Sequence, residues 1–134
     1  MSSKPNDSPL EAAEQQVFVE WAELHHLKLT AVPNSTYTSS WSQKRKNHVQ
    51  GLRKGFPDIM VLIDPDQSKD RLGYFLCIEM KRAKGGTLSP EQRDWQDAIN
   101  RLSTPHVQAY VCRGAAEAIK VVSHYLSDTS VIPF

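Results

Sequence analysis

The sequence predicts a single α/β domain in which a mixed β-sheet is flanked by helices, in the order α-β-β-β-α-β-α. Three observations carry this prediction. Helical periodicity at both ends of the chain encloses apolar runs that are typical of strands. A short polar stretch joins two of these strands, which favours an antiparallel pair. A strand–helix–strand succession over residues 73–112 favours a parallel pair with a right-handed crossover.

Apolar residues at three- and four-residue steps predict a first helix over residues 9–26. Ser8 is expected to be its N-cap, with Pro9 at the first helical position and Glu11 as the acid of a capping box. The apolar residues expected on its buried stripe are Ala13, Val17, Phe18, Trp21, Leu24 and Leu27.

The middle of the chain is expected to supply three strands. A short strand is predicted over residues 29–32, and the polar stretch 35–55 that follows is predicted to be a long loop with at most a helical turn near 43–52. Two longer strands are predicted over residues 56–63 and 73–82, because both segments are rich in apolar and β-branched residues and are separated by turn residues.

The last third of the chain contains a clear helix start. Ser89 is expected to be the N-cap, Pro90 the first helical residue and Gln92 the capping-box partner. A strand over residues 107–112 and a final helix over residues 115–126 complete the predicted order.

Length and composition fit one ordinary domain of 134 residues, predicted as a disordered tail over 1–8 and a folded domain over 9–134. No apolar run approaches the roughly 20 residues that span a bilayer, and the first residues lack the apolar core of a signal peptide, so no membrane association and a cytoplasmic location are expected. Cys77 and Cys112 lie in apolar runs and are interpreted as buried structural thiols.

The net charge of +1 does not by itself indicate a nucleic-acid-binding protein, but the basic residues are clustered. Such clusters can bind a phosphate backbone, although a solvated loop is the more ordinary interpretation. The clustered residues are Lys44, Arg45, Lys46, Arg53 and Lys54, followed by Lys81, Arg82 and Lys84. Trp41 lies in the same polar stretch and is a candidate to stack on a base or to pack at a dimer interface.

Acidic residues interrupt two otherwise apolar strands. Asp58 opens the first long strand, and Glu79 and Lys81 end the second. Residues two apart on a strand share a face, so Glu79 and Lys81 are expected to project together, with Asp58 close by if the strands are neighbours. Two carboxylates with backbone carbonyls and water suit Mg²⁺, which could activate water against a phosphodiester, and lysine could orient or deprotonate that water. The alternative is a solvated ion pair between Glu79 and Lys81, with Asp58 as a turn cap.

The chain resembles the VRR-NUC family of the PD-(D/E)XK nuclease superfamily, in its small stand-alone bacterial and phage form. Pro57-Asp58, a gap of about twenty residues and Glu79-Met80-Lys81 carry the superfamily resemblance. The segments that carry the family resemblance, in order along the chain, are EAAEQ at 11–15 with Trp21-Ala22, VPN at 32–34, GLRKGFPD at 51–58, IEMK at 78–81, LSPEQRDW at 88–95 and VCRG at 111–114.

The resemblance implies a restriction-endonuclease-like fold and roles for individual residues. Asp58, Glu79 and the Met80 carbonyl would bind the metal, Lys81 would be the catalytic lysine, and a helix-one acid would complete the site. Glu11 is favoured over Glu14 for that acid because Glu11 shares a face with Gln15. Gln92 matches a family glutamine near the active site, which leaves it as an active-site residue, a capping residue or both.

The resemblance further implies Mg²⁺, with Mn²⁺ as a substitute, and no nucleotide cofactor. It implies a homodimer that cleaves branched DNA, with a Holliday junction as the leading substrate. The alternatives are a nick, flap or duplex endonuclease and a DNA-binding protein with a degenerate site. Asn34 is counted with Trp41 and the clustered basic residues as a DNA contact. Ser35 stands where a glycine is common in the family, so the loop that follows is expected to contact DNA in its own way.

Overall fold

The computed structural model describes residues 7–33 and 40–127 of the chain. They form one small α/β domain, and its fold class is the one the sequence predicts. The elements in chain order are α1 (Asp7–Leu24), β1 (Lys28–Ala31), α2 (Trp41–Val49), β2 (Ile59–Ile63), β3 (Tyr74–Lys81), α3 (Pro90–Asn100), β4 (Val107–Arg113) and α4 (Ala115–Ser123), with a 3₁₀ turn at Pro65–Gln67. No helix of the described residues has both the length and the apolar character needed to cross a bilayer.

The four strands form one sheet in the order β1-β2-β3-β4. The β1–β2 and β2–β3 pairs are antiparallel, and the β3–β4 pair, whose strands α3 connects, is parallel. Helices α1 and α4 contact each other and cover one face of the sheet, and α3 packs on the other face beside β4. The mixed sheet predicted from the strand–turn–strand and strand–helix–strand patterns is therefore confirmed.

The main core lies between the sheet and the α1–α4 layer. Ile59, Val61 and Ile63 point into it from β2, and Leu76, Ile78 and Met80 point into it from β3. The intervening residues of β3 face α3, where Cys77 and Ile99 form a smaller apolar cluster. Because side chains alternate along a strand, Glu79 and Lys81 lie on the α3 side of the sheet.

Helix α1 differs from its prediction at its start and in its buried face. It begins at Asp7 rather than at Pro9, so Ser8 lies inside the helix. The prediction that Ser8 is the N-cap is therefore wrong. Phe18 and Ala22 are fully buried, whereas Val17 is 52% exposed and Leu24 is 74% exposed. The predicted stripe mixed two faces because apolar residues occur on both sides of this helix.

The other boundaries differ by a few residues. β2 begins at Ile59 rather than at residue 56, because Pro57 and Asp58 precede the pairing with β3. α4 ends at Ser123, although Leu126 beyond it is buried as predicted. The predicted loop of 35–55 contains a complete helix, α2, and residues 34–39 lie outside the described residues. Residues 1–6 of the predicted tail also lie outside the described residues.

Candidate active site

Strand β3 carries two charged residues into the interior of the protein. Every residue from Leu76 to Lys81 is buried; Glu79 is 2% exposed and Lys81 is 7% exposed. Lys81 Nζ lies 3.6 Å from Glu79 Oε2, as expected for side chains on one face of a strand. The interpretation as an ion pair on a solvated strand end is therefore wrong, because the pair is formed but solvent does not reach it.

Asp58 is held against β3 from the end of the neighbouring strand. Its Oδ2 accepts a hydrogen bond from the Met80 backbone N–H at 2.8 Å, and its carbonyl accepts one from the Val32 N–H at 2.7 Å. Pro57 before it is buried, which fixes the entry of the chain into β2. Asp58 is thus tied to the adjacent strand rather than capping its own turn, and the structure brings it to Glu79.

The carboxyl group of Glu79 is in an unfavourable place for a negative charge. Burial, followed by the charge of Asp58, raises the pKa of Glu79 from 4.5 to about 8, against the lowering effect of Lys81. Its Oε1 is buried and receives no hydrogen bond from an N–H donor of the described residues, and the Asp58 carboxyl group beside Glu79 adds a hydrogen-bond contribution to the raised pKa. A buried oxygen without a donor is costly unless a further ligand is present, so the donor set fits a cation between Glu79 and Asp58.

Gln92 makes contacts that correspond to both of the interpretations left open by its position in the sequence. Its Oε1 accepts from the Ser89 N–H at 2.9 Å, and its own N–H donates to Ser89 Oγ at 3.1 Å, which forms the predicted capping box of α3. Its Nε2 donates to Glu79 Oε2 at 3.0 Å. The first turn of α3 therefore fixes the orientation of the Glu79 carboxyl group.

The two helix-one acids have different surroundings. Glu14 Oε1 accepts from the Ala115 N–H at 2.7 Å and so caps α4. The Glu11 carboxylate lies beside Gly86, where a Cβ atom would be 3.4 Å from Glu11 Oε2 and 3.3 Å from Lys81 Cδ. The side chains of Glu11 and Lys81 thus flank the same glycine, whereas the Glu14 carboxylate is engaged by the start of α4.

The acids do not form a complete metal cage of side chains. Within residues 7–33 and 40–127, no three His, Cys, Asp or Glu side chains lie close enough together to hold a metal ion. A cation at Asp58 and Glu79 would need backbone carbonyl and water oxygens as its other ligands, a set that Mg²⁺ accepts because it retains several waters.

One residue beside the site carried no predicted role. Arg113 is the register partner of Lys81 on β4, and its Nη1 donates to the Gly86 carbonyl at 2.6 Å. Gly86 is buried between Lys81 and Glu11, so Arg113 holds the turn that closes this side of the site. The sequence contains Arg113 in a segment that resembles the family, but only the strand register reveals its neighbour.

The predicted DNA-contacting residues do not all line the acidic site. Trp41, Lys44, Arg45 and Lys46 are exposed on α2. Two further members, Arg53 and Lys54, follow α2 and are exposed. After β3, Arg82 is partly buried and Lys84 is exposed. Asn34 lies outside the described residues. The predicted structural thiols, Cys77 and Cys112, are buried and free, as expected.

Asp58, Glu79 and Lys81 thus meet where β2 begins and β3 ends, and the domain that the chain contains is of a type that implies a PD-(D/E)XK nuclease. A family model described as the VRR-NUC domain matches residues 4–116, so the chain belongs to the VRR-NUC domain family, which implies a nuclease domain. A solved structure described as a VRR_NUC domain protein is similar, with a TM-score of 0.62 and 20% identity over 87% of each chain. This likeness supports the fold. No curated protein matches the chain.

Proposed function

We propose that this protein is a divalent-cation-dependent endonuclease that hydrolyses phosphodiester bonds in branched DNA, with the four-way junction as its leading substrate. The observation that carries the proposal is the buried Glu79 carboxyl group. It is fixed by Gln92 and lies beside Asp58 and Lys81, and one of its oxygens receives no hydrogen bond from an N–H donor within the described part of the chain. A fold that only needed stability would gain by replacing such a group with an apolar one.

The residues that would hold the cation are Asp58, Glu79 and the Met80 carbonyl, with Mg²⁺ as the preferred ion and Mn²⁺ as a substitute. The donors are hard oxygen atoms, which suit both ions. A cation bound there would offset the negative charge of the phosphodiester and lower the pKa of a bound water. It would also offset the repulsion between the two carboxylates that raises the pKa of Glu79.

The chain's own side chains then have separate tasks. The Lys81 ammonium, 3.6 Å from Glu79, is available to bind a non-bridging phosphate oxygen and to orient the attacking water. Gln92 keeps Glu79 in one rotamer by its 3.0 Å hydrogen bond. Glu11 contributes negative charge on the other side of Lys81. In the reaction a water oxygen bonds to phosphorus, one P–O ester bond breaks, and the leaving oxygen takes up a proton.

A homodimer suits the proposed substrate, because two active sites related by a two-fold axis can cut symmetric strands of a four-way junction. The exposed apolar residues on the outer face of α1, Val17 and Leu24, leave surface that a second copy could cover. Light scattering coupled to size-exclusion chromatography tests this part of the proposal. The resemblance to bacterial and phage forms assigns the reaction, in this proposal, to the bacterial cytoplasm.

A DNA-binding protein with a degenerate site is the second candidate. The observation that favours it is the lack of a three-acid metal cluster in the described residues. The two candidates differ in one measurement. The nuclease cleaves DNA with Mg²⁺ and stops with EDTA, whereas the binding protein shifts the same DNA without cleaving it.

The test is a panel of labelled DNAs incubated with Mg²⁺, Mn²⁺ or EDTA: a four-way junction, a nicked duplex, a flap, a linear duplex and a single strand. Preferential cleavage of the junction supports the proposal, and preference for the nick, flap or duplex assigns the enzyme to that substrate instead. Lys81→Ala should abolish cleavage without loss of binding, and Lys120→Ala, which alters an exposed lysine on α4, is the matched control. Cleavage by Lys81→Ala at the wild-type rate would contradict the assigned mechanism.

A further inference from the structure

Helix α2 is not held in the protein by a hydrophobic face. None of its nine residues, all of which the structure describes, is buried. Local bonds define its ends: Ser40 Oγ accepts from the Gln43 N–H, and Arg53 Nη1 donates to the His48 carbonyl at 2.8 Å. A nine-residue helix without a buried face is marginal in water, so its sequence is better explained by a partner than by folding.

The charge of this region points to a polyanion. The 34 residues from 24 to 57 contain no Asp or Glu, although the whole chain has a net charge of only +1. The Lys and Arg residues of this segment are Lys28, Lys44, Arg45, Lys46, Arg53 and Lys54. Three of them are consecutive on α2 and fully available to solvent. A segment with charge of one sign favours the phosphate backbone of a nucleic acid, although its far end faces Glu91 and Asp94 across the cleft beside α3.

Trp41 adds a different kind of contact at the first turn of the same helix. It is 83% exposed, which is unusual for the largest apolar side chain, and Lys44 Nζ lies 5.5 Å from the centroid of its ring. An exposed aromatic ring beside basic side chains is the arrangement that stacks on bases. The interior of a duplex offers no free base face, whereas a branch point does.

Helix α2 is connected to the active site without belonging to it. Trp95 Nε1 on α3 donates to the Lys54 carbonyl at 3.2 Å. Gly55 approaches the backbone of Glu91 so closely that a Cβ atom would be 2.6 Å from it. The next residue, Gln92, bonds to Glu79. A cleft of about 520 Å³ lies between α2 and α3, lined by His48 and Trp95 among others. The segment after α2 therefore docks on the same helical turn that orients Glu79.

We propose that α2 is a second DNA-binding element outside the catalytic site. Lys44, Arg45 and Lys46 bind the backbone of one DNA arm, and Trp41 stacks on the base face exposed where that arm leaves the branch. The inference rests on the proposed nuclease function for its choice of DNA, and it assigns the preference for branched over linear DNA to Trp41 rather than to the buried acids.

The test measures binding alone, in the Lys81→Ala background, by fluorescence anisotropy with a four-way junction and with a linear duplex of the same total length. Trp41→Ala should weaken junction binding about tenfold and leave duplex binding unchanged, since stacking acts only where a base face is free. Lys44→Gln/Arg45→Gln/Lys46→Gln should weaken binding to both DNAs and reduce the salt-dependence slope by about 3.

The control variant is Lys69→Gln/Arg101→Gln/Lys120→Gln, which removes the same charge from exposed positions elsewhere and should preserve most of the affinity and slope. Equal junction preference in Trp41→Ala, or an unchanged slope in the α2 triple variant, overturns the proposal. Conversion of a dimer to a monomer by Trp41→Ala, with duplex and junction affinities falling together, also overturns it and identifies a second copy as the occupant.

Failure of the nuclease proposal gives a different result. If the wild type binds the junction through α2 but cleaves no DNA in Mg²⁺ or Mn²⁺, the α2 proposal is supported and the enzymatic one fails. If the wild type cleaves the junction and the α2 variants bind it as tightly as wild type, the reverse holds.

Discussion

Strand β3 and helix α2 both carry charged residues predicted to act on DNA, and they are built in opposite ways. In β3 the charged pair Glu79 and Lys81 is buried and fixed by neighbouring elements. In α2 every residue remains accessible to solvent, and the ends of the helix are fixed by local hydrogen bonds. The buried pair therefore depends on core packing for its geometry, whereas the exposed side chains of α2 can be substituted with little effect on the core.

The largest effect is expected where the buried pair is altered. Glu79→Gln removes one of the two carboxylates proposed to bind the cation, so we expect cleavage to fall by at least about a thousandfold, on the scale of losing a group that acts in the transition state. Single-turnover cleavage of the junction measures it. Glu23→Gln on the exposed side of α1 is the matched control and should cleave like the wild type.

Glu79→Gln, which should reduce cleavage, should also make the stability of the protein less sensitive to rising pH. A carboxyl group whose pKa is raised in the folded protein stabilises it most below its unfolded pKa, and this contribution is lost as the pH rises through the folded value. For Glu79 that window runs from 4.5 to about 8. Without divalent ions the wild-type Tm should fall more steeply across this window than that of Glu79→Gln. Equal slopes would contradict the assigned environment of Glu79. Mg²⁺ should restore the wild-type Tm most strongly near the upper end.

Replacing one buried and one exposed aromatic residue with alanine tests the comparison by the stability of the protein. Phe18 is fully buried between α1 and the sheet, and Trp41 is 83% exposed. We expect Phe18→Ala to lower the free energy of unfolding by about 3–5 kcal/mol and Trp41→Ala by about 0.5 kcal/mol or less, measured by urea denaturation. A large loss in Trp41→Ala would mean that α2 packs on the body of the protein.

The connection between the two regions can be tested with a pair of glycines. Gly51 and Gly55 both have a positive φ, near 100°. A Cβ atom on Gly55 would be 2.6 Å from the backbone of Glu91, whereas on Gly51 it would have no described atom within 4 Å. Gly51→Ala should cost about 1 kcal/mol from backbone strain alone. Gly55→Ala should cost about 3 kcal/mol because the α3 start must also move. Equal losses of stability in the two variants would show that the close contact between Gly55 and Glu91 does not contribute to stability.

The sequence predicted most of the site because its signals are local. An acid within an apolar strand is visible in one segment, and the period of two places Glu79 beside Lys81. The capping box at Ser89 likewise predicted the start of α3, but not that Gln92 also reaches Glu79. That contact depends on how α3 packs over β3, which no local pattern specifies.

Two failures have a common physical cause. The stripe of α1 was misassigned because Val17 and Leu24 are apolar yet face outward, so periodicity alone could not select the buried face. Helix α2 was predicted only as a helical turn within a long loop, because it has no apolar period to detect. In both cases the hydrophobic pattern of the helix does not follow its burial. A prediction that relies on this pattern therefore fails.

The smaller of the two effects on cleavage is expected at Arg113, whose guanidinium holds Gly86 beside Glu11 and Lys81. Arg113→Met should lower kcat about tenfold, as a lost charge-assisted hydrogen bond allows the turn to move, and leave KM nearly unchanged. Arg113→Lys should recover part of the rate, because an ammonium can still donate to the Gly86 carbonyl. Arg101→Met, at an exposed helix end, is the control. A raised KM with unchanged kcat would instead identify Arg113 as a DNA contact, which belongs with α2 on the recognition side of the comparison rather than with the buried site.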